Sequence, residues 1–193
     1  MPISPEQEAL EAQKDAQEVH RYAVWGLLPE NANTRIKKVM EALREEFGGP
    51  EIEPHITIVG SCLMTEDEAI GSFREGCNSV KQIYCKVENF ETSKFYFQCL
   101  SLVMEITEDL KAQTRWFAGC MNRPFPAMPH LSLLYGNLTA EEKKRAKEKV
   151  LAMDESIAGL TFLLSRMALY RVNFADRTQK SWERILEGHL RVN

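Results

Sequence analysis

Two of the four histidines in this chain lie in matching tetrapeptides, Pro54-His55-Ile56-Thr57 and Pro129-His130-Leu131-Ser132. Each tetrapeptide is followed by apolar residues, a glycine and a Thr-x-x-Glu sequence, at spacings that agree to within one residue. The repeated context indicates two matching half-sites, each of which contributes one imidazole. Two imidazoles that face each other suit acid–base chemistry, and opening a phosphate ester requires both proton transfers.

The residues beside each histidine extend this pattern, because side chains at alternate positions of a β-strand share one face. His55 and Thr57 would therefore project together, as would His130 and Ser132, while the apolar residues between them face the other way. Polar pairs on otherwise apolar strands need partners, and a bound anion can supply them. We therefore predict a cleft lined by two imidazole–hydroxyl pairs.

Hydrolysis of a cyclic phosphate could use such a cleft without a metal. A neutral imidazole would take a proton from the attacking water, and an imidazolium would give a proton to the departing sugar oxygen. The ordinary pKa of histidine, about 6.5, makes both forms available near neutral pH. Thr57 and Ser132 would donate hydrogen bonds to the non-bridging oxygens as negative charge builds up.

Other interpretations of the repeat have less support. A duplication with a purely structural role stays open on the residues alone. A metal site would need a third ligand at a characteristic spacing, and no such ligand is found, so we predict neither a metal nor a cofactor. A serine nucleophile would need a signature such as Gly-x-Ser-x-Gly, which this chain does not contain.

The elements that must position these residues are predicted from apolar periodicity and capping signals. Thr65 with Glu68 and Thr139 with Glu142 match the capping box that opens a helix. Predicted strands cover residues 22–28, 55–59, 83–90, 95–104, 130–135, 160–170 and 182–190. Predicted helices cover residues 33–47 with Asn33 as cap, a segment after Thr65, residues 107–121 before a loop with prolines 124, 126 and 129, and residues 139–153.

This order of elements predicts an α+β fold. A strand, a helix, a histidine strand, a helix and a further strand follow one another twice, which indicates two pseudo-symmetric lobes. Each lobe would be an antiparallel sheet with outer helices, and the two histidine strands would line a central cleft. Residues 1–18 are predicted to form an acidic, partly helical N-terminal extension, and residues 19–193 a single bilobal domain.

Charge and composition limit the partners. The chain has 24 basic and 28 acidic residues, a net charge of −4. The acidic extension accounts for that excess, so the remaining body is close to neutral. Proteins that bind long nucleic acid through its phosphates usually carry a basic excess. We therefore expect a small anionic substrate and no long nucleic acid.

Three further expectations concern location and assembly. No apolar run approaches the roughly 20 residues of a membrane helix, and no signal peptide is recognised, so no membrane partner is expected. The five cysteines never form Cys-x-x-Cys, which favours reduced thiols and a cytoplasmic protein. We expect the protein to be a monomer.

At the two His-x-Thr/Ser motifs the chain resembles the 2H phosphoesterase superfamily, and within it the plant-type cyclic phosphodiesterases. The resemblance covers roughly residues 20–190 and is also carried by residues 23–29, 40–47, 95–99 and 128–135. It implies hydrolysis of ADP-ribose 1″,2″-cyclic phosphate to ADP-ribose 1″-phosphate, a step after tRNA splicing. It also implies the opening of nucleoside 2′,3′-cyclic phosphates to nucleoside 2′-phosphates.

The resemblance also implies roles for individual residues. His55, Thr57, His130 and Ser132 would form the catalytic set, with His130 as the base, His55 as the acid, and Tyr135 reaching the phosphate. Trp25 would face the nucleoside, with Phe97 or its neighbour Phe95 as a second wall. Core packing stays an alternative for these aromatic residues, and it is the prediction for Trp116 and Trp182.

Two alternative functions stay open at this point. Other members of the superfamily act on RNA as 2′–5′ ligases or 3′-end trimming enzymes, although the near-neutral body argues against them. The same cleft could also serve a non-catalytic module that binds nucleotides or RNA ends. Two titratable histidines favour the enzyme, because a binding module would need neither.

Overall fold

The computed structural model describes residues 3–123 and 128–193, and of Ala16 only the main chain. The predicted prolines 124 and 126 lie outside the described residues. None of the described helices is long and apolar enough to cross a membrane.

Five helices and eight strands make up the described part of the chain. The helices are α1 (Pro5–Gln17), α2 (Glu30–Phe47), α3 (Glu66–Ser79), α4 (Glu108–Cys120) and α5 (Ala140–Met153). The strands are β1 (Val19–Leu27), β2 (His55–Thr65), β3 (Ile83–Thr92), β4 (Leu100–Met104), β5 (His130–Leu134), β6 (Thr161–Leu164), β7 (Arg166–Val172) and β8 (Glu183–His189). Short 3-10 turns cover Tyr96–Gln98 and Glu155–Gly159.

The strands form two antiparallel sheets of four, in the orders β2-β1-β7-β8 and β5-β4-β3-β6. The two histidine strands, β2 and β5, each occupy an edge of their own sheet, and they lie against each other. The predicted α+β fold with two antiparallel sheets around a shared cleft is therefore confirmed.

Each half of the chain contributes to the sheet of the other half. After the first histidine strand and α3, the chain crosses to the second sheet, where β3 pairs with β4. After the second histidine strand and α5, β6 first joins the second sheet beside β3, and the chain then returns to the first sheet, where β7 pairs with β1 and β8 with β7. Each sheet thus contains strands from both halves of the chain, which ties the two lobes together.

The capping boxes place the helices that follow the histidine strands. The Glu68 amide donates to Thr65 Oγ1 at 3.3 Å, and the Thr65 amide donates to Glu68 Oε2 at 2.9 Å. Thr139 and Glu142 make the same pair of bonds at 3.2 and 2.7 Å. Both predicted capping boxes are confirmed, and each fixes the chain direction immediately after a histidine strand.

Asn33 does not cap α2, so that prediction is wrong. The helix begins at Glu30 after an extended Pro29, and the Asn33 amide donates to the Pro29 carbonyl oxygen at 2.9 Å. Asn33 therefore lies inside the first turn. The fixed backbone angle of proline, which suits the entry to a helix, outweighs the capping preference of asparagine.

Three of the predicted strands are also wrong in extent. The first histidine strand, predicted to end at residue 59, continues to Thr65. Residues 96–98 form a 3-10 turn, so the strand predicted from residue 95 begins only at Leu100. The strand predicted over residues 160–170 is two strands in different sheets, β6 and β7, separated by Ser165. Only Ser165 and Arg166 interrupt the apolar residues at that break, and the sequence there has no glycine or proline to mark a change of sheet.

The core lies between the sheets and their outer helices. On β1, Tyr22 and Val24 join the main apolar core, whereas Ala23 and Trp25 belong to a small cluster on the opposite face of the sheet. That opposite face lines the cleft. Trp116, predicted to be a core residue, is 60% exposed on α4, which is a correction.

Candidate active site

One cavity of about 440 Å³ lies between the two histidine strands. Its volume is in the range of small-molecule sites. All seven residues that the sequence analysis singled out line it, and they are Trp25, His55, Thr57, Phe97, His130, Ser132 and Tyr135. The strand alternation predicted from the two tetrapeptides therefore brings both imidazole–hydroxyl pairs to one cavity.

The two histidines are held by the same local device. His55 Nδ1 lies 2.8 Å from the Glu53 carbonyl oxygen, and His130 Nδ1 lies 2.9 Å from the Met128 carbonyl oxygen. A carbonyl oxygen can only accept, so Nδ1 carries the proton in both rings. Each neutral imidazole is thereby left with its Nε2 lone pair as the reactive nitrogen.

Burial distinguishes His55 from His130. His55 is only 4% exposed, and this desolvation lowers its pKa to about 4. The Glu53 carbonyl acts in the opposite direction, and a positive charge on His130 lowers the pKa of His55 further. Because burial disfavours the charged form, His55 is a neutral imidazole at physiological pH in the free protein.

Trp25 stacks directly on His55. Their ring centroids are 3.6 Å apart with an interplanar angle of 6°, and Tyr170 stacks on Trp25 at 3.9 Å. Trp25 is 5% exposed. Its two faces are therefore covered by these neighbours, which leaves its edge for a ligand. The expected contact between Trp25 and a nucleoside stays a prediction, while its contact with His55 is a finding.

A second set of side chains braces the segment before His55. Tyr170 donates from its hydroxyl to Glu53 Oε2 at 2.9 Å, and Arg184 forms an ion pair with the same carboxylate. The Glu53 main chain is the acceptor for His55. Sequence reasoning did not find Glu53, Tyr170 or Arg184, because they come from three segments that only the folded sheet brings together.

Gln98 is the contact of His130 that sequence reasoning missed. Its side-chain Nε2 lies 2.9 Å from His130 Nε2. The amide nitrogen and oxygen exchange places by rotation about χ3, so Gln98 can donate to a neutral ring or accept from a protonated one. Gln98 lies in the 3-10 turn that replaces the predicted strand, which directs it into the cavity.

The hydroxyl groups of the two motifs, on Ser132 and Thr57, differ in their hydrogen bonds. Ser132 Oγ donates to the Phe97 carbonyl oxygen at 2.9 Å and lies 3.5 Å from Ser101 Oγ. Thr57 makes no side-chain hydrogen bond with any residue in the described ranges, so its donor is available to a ligand. Tyr135 is buried, which raises its pKa, and the side chains of Ser132 and Gln179 lie beside its hydroxyl.

An aromatic wall closes one side of the cavity. Phe97 lies 5.4 Å from both Phe174 and Trp182 between ring centroids, and Phe174 lies 5.7 Å from Trp182. Trp182 was predicted to be a core residue, but it lines the cavity, which is a correction. Phe95 is 74% exposed at the cavity rim, so core packing is also wrong for that residue.

The loop that presents this wall is held by one carboxylate. Asp176 accepts from the Thr178 and Ser181 hydroxyls, both at 2.6 Å. These hydrogen bonds hold the pKa of Asp176 well below its usual range. The indole of Trp182 donates to the Asn173 carbonyl oxygen at 2.8 Å, which fixes the ring against Phe174.

The charge of the cavity suits an anion. None of the described residues that line it is an aspartate or a glutamate. Within the described ranges, the one group of three potential metal ligands is Asp15, Glu18 and His20, whose ligand atoms lie within 4.8 Å of one another. None of these three lines the cavity.

Solved structures share this fold. Escherichia coli LigT complexed with ATP matches with a TM-score of 0.58 and 13% identity, covering 90% of this chain and 99% of LigT. The protein TT0787 of Thermus thermophilus matches with a TM-score of 0.53 and 14% identity, again covering 90% and 99%. The fold is that of the LigT-like 2H phosphoesterases.

A curated relative narrows the class. The Arabidopsis thaliana cyclic phosphodiesterase is 40% identical over 171 residues, which is 88% of this chain and 94% of the relative. No family model matches the chain. The chain belongs to the cyclic phosphodiesterase family of 2H phosphoesterases, and it is an enzyme with phosphoesterase activity. The non-catalytic alternative is therefore wrong.

Proposed function

We propose that the enzyme opens small cyclic phosphates without a metal. Its substrates would be ADP-ribose 1″,2″-cyclic phosphate, opened to ADP-ribose 1″-phosphate, and nucleoside 2′,3′-cyclic phosphates, opened to nucleoside 2′-phosphates. The observation that carries this proposal is a pair of histidines anchored through Nδ1 in one cavity whose described lining holds no carboxylate. This reaction class agrees with the similarity to the Arabidopsis cyclic phosphodiesterase.

The low pKa of His55 bears on the roles of the two histidines. A ring that stays neutral at physiological pH can accept a proton from water but has none to give. We therefore assign His55 as the base and His130 as the acid, the reverse of the roles that the resemblance implied. Water attacks phosphorus as His55 takes its proton, and His130 protonates the sugar oxygen as its bond to phosphorus breaks.

Gln98 suits the role of His130 as the acid. In the imidazolium, the Nε2 proton can form a hydrogen bond to the Gln98 amide oxygen once the amide has rotated, until the departing sugar oxygen replaces that oxygen as the acceptor and takes the proton. After the sugar oxygen has taken the proton, the amide nitrogen can donate to the neutral ring. Gln98 can thus keep the orientation of His130 in both protonation states.

Hydrogen-bond donors would stabilise the charge that develops on the phosphate oxygens. Thr57 has its hydroxyl free among the described residues, and Ser132 would turn its proton from the Phe97 carbonyl to the substrate. Tyr135, which burial keeps protonated, is a third donor in the same cavity. Fixed donors at such positions are among the largest contributions to catalysis.

The aromatic wall would hold the base of the substrate. Phe97, Phe174 and Trp182 present rings around one side of the cavity, and stacking of a nucleobase on such rings contributes about 1–3 kcal/mol. The setting that we propose, a cytoplasmic monomer acting after tRNA splicing, rests on the resemblance and on the composition.

Product analysis tests this proposal. The purified enzyme would be incubated with ADP-ribose 1″,2″-cyclic phosphate and with adenosine 2′,3′-cyclic phosphate, and the products separated by chromatography. We expect ADP-ribose 1″-phosphate from the first and the 2′-phosphate, without the 3′-phosphate, from the second. A 3′-phosphate product, or no turnover of either compound, would contradict the proposal.

A further inference from the structure

The catalytic cavity continues into two grooves of opposite charge. One groove, of about 680 Å³, shares Gln98 and His130 with the cavity, and its described lining includes Glu88 and Glu91 but no lysine or arginine. The other, of about 530 Å³, shares Val172 and Phe174 with the cavity. Its described lining includes two arginines and no carboxylate, so an extended anionic substrate would leave the cavity on this second side.

Two guanidinium groups lie beside residues 60–61 of β2, a segment that lines the cavity. Arg21 Nη1 on β1 lies 3.5 Å from Ser61 Oγ. Arg123, which follows α4, lies over Gly60, since a Cβ atom added there would be 3.2 Å from Arg123 Nη2. Gly60 and Ser61 both line the catalytic cavity. The two cations thus approach the same short segment from different elements.

Neither cation is paired with a carboxylate in the part of the chain that the structure describes. Within the described residues, no carboxylate lies within 4.0 Å of Arg21 or Arg123, although other arginines are paired. Arg171, the other arginine of the second groove, is bound to Glu66. Arg21 and Arg123 are therefore free to receive an anion, and guanidinium groups match phosphate oxygens through paired N–H donors.

The position of this pair fits the length of a dinucleotide-type substrate. His55 and Thr57 lie on the same strand as Gly60 and Ser61, so the strand leads from the catalytic centre to the two arginines. Two register shifts in β2 lie between Thr57 and Cys62, so this stretch runs alongside only three residues of β1, which span roughly 10 Å. The diphosphate of ADP-ribose cyclic phosphate is one ribose away from the cyclic phosphate, which suits this separation.

We propose that Arg21 and Arg123 form a diphosphate subsite, which selects ADP-ribose 1″,2″-cyclic phosphate over nucleoside 2′,3′-cyclic phosphates. This inference rests on the proposed function, because it assumes that the cyclic phosphate lies between the two histidines. Nucleoside cyclic phosphates have no second phosphate and would not use the subsite. The arginine pair would thus determine specificity without taking part in the chemistry.

The test compares two substrates in two double variants. Arg21→Gln/Arg123→Gln removes both cations from the subsite. Arg74→Gln/Arg115→Gln removes the same charge from exposed positions of α3 and α4 that line neither the cavity nor the grooves. We expect the first variant to lower the ratio of kcat/KM for ADP-ribose cyclic phosphate to kcat/KM for adenosine 2′,3′-cyclic phosphate by about tenfold. The second variant should keep the wild-type ratio.

A binding measurement separates failure of the subsite from failure of the proposed reaction. Calorimetric titration would compare ADP-ribose 1″-phosphate with adenosine 2′-phosphate in the wild type and in both double variants. Weaker binding of ADP-ribose 1″-phosphate alone, in Arg21→Gln/Arg123→Gln alone, supports the subsite even if turnover is absent. An unchanged ratio of the two affinities would overturn it.

An RNA substrate is the other outcome that would overturn the subsite. The same variants would be assayed on a short oligoribonucleotide that ends in a 2′,3′-cyclic phosphate. If loss of the two arginines lowers turnover of the oligonucleotide but leaves ADP-ribose cyclic phosphate unaffected, the groove serves an RNA backbone.

Discussion

The two catalytic candidates are equivalent in sequence context, yet their surroundings differ, and those of His55 lower its pKa. His55 lies beneath Trp25 and is almost fully buried, while His130 is partly exposed beside Gln98. Desolvation, rather than any charged neighbour, is the largest cause of the low pKa of His55. The internal repeat therefore supplies two similar imidazoles, and the difference in their packing is the basis for the different roles that we propose for them.

The pH dependence of kcat/KM tests this assignment. A base must be neutral, and the pKa of His55 is lowered to about 4, so the acid limb should fall near pH 4 instead of near 6.5. The wild type should therefore keep most of its kcat/KM at pH 5.5, measured with adenosine 2′,3′-cyclic phosphate. Loss of activity through a single pKa near 6.5 on the acid side would contradict the assignment.

Trp25 is predicted to act through His55. Trp25→Ala would admit water to the imidazole, so we expect the pKa of His55 to rise towards 6.5 and kcat at pH 5.5, where most of the rings would then be protonated, to fall about tenfold. Trp25→Phe keeps an apolar face over the ring and should retain most of both properties. NMR titration of His55 beside kcat measurements would check this, and an unchanged pKa in Trp25→Ala would show that stacking does not control it.

At the scale of elements, the sequence predicted those features that depend on residues close together in the chain. The His-x-Thr/Ser strands and both capping boxes were predictable, because alternation and capping involve residues a few positions apart. The sequence patterns did not predict the contact made by Gln98, the position of Trp182 in the cavity or the division of the chain at Ser165. Each depends on which strands pair and on contacts between distant segments, such as the one from Gln98 to His130.

The loop between β7 and β8 provides a test at this scale. Asp176→Ala removes the acceptor that holds Thr178 and Ser181, so Phe174 and Trp182 should become less ordered. We expect KM for adenosine 2′,3′-cyclic phosphate to rise several-fold with a smaller change in kcat, because the histidines are untouched. Glu148→Ala on α5, an exposed carboxylate, is the control. A larger loss in kcat than in KM would place Asp176 in the chemistry instead.

For the whole molecule, each sheet contains strands from both halves of the chain, so the cleft forms only when both lobes are complete. His55 is buried at this cleft in its neutral form, so its protonation affects the free energy of unfolding. The pKa of His55 is lower in the folded state, so the unfolded chain binds more protons between about pH 6.5 and 4. The free energy of unfolding should therefore decrease as pH falls through this window.

Urea denaturation at several pH values would measure that contribution. The fall of the His55 pKa from 6.5 to about 4 corresponds to roughly 3 kcal/mol, which is fully lost once the pH is below about 4. His55→Gln should remove most of this pH dependence, whereas His189→Gln, at an exposed position of β8, should leave it in place. The same slope in His55→Gln and in the wild type would contradict the burial argument.

The central claim is that two histidines in one cavity open a cyclic phosphate without a metal. Its most direct test is the turnover of ADP-ribose 1″,2″-cyclic phosphate and adenosine 2′,3′-cyclic phosphate, with excess chelator, by the wild type, His55→Ala and His130→Ala. We predict that the wild type keeps its activity, and that each variant loses about 10²–10⁴-fold in kcat while its circular dichroism spectrum is preserved. Full activity in either variant, or loss of wild-type activity with chelator, would contradict it.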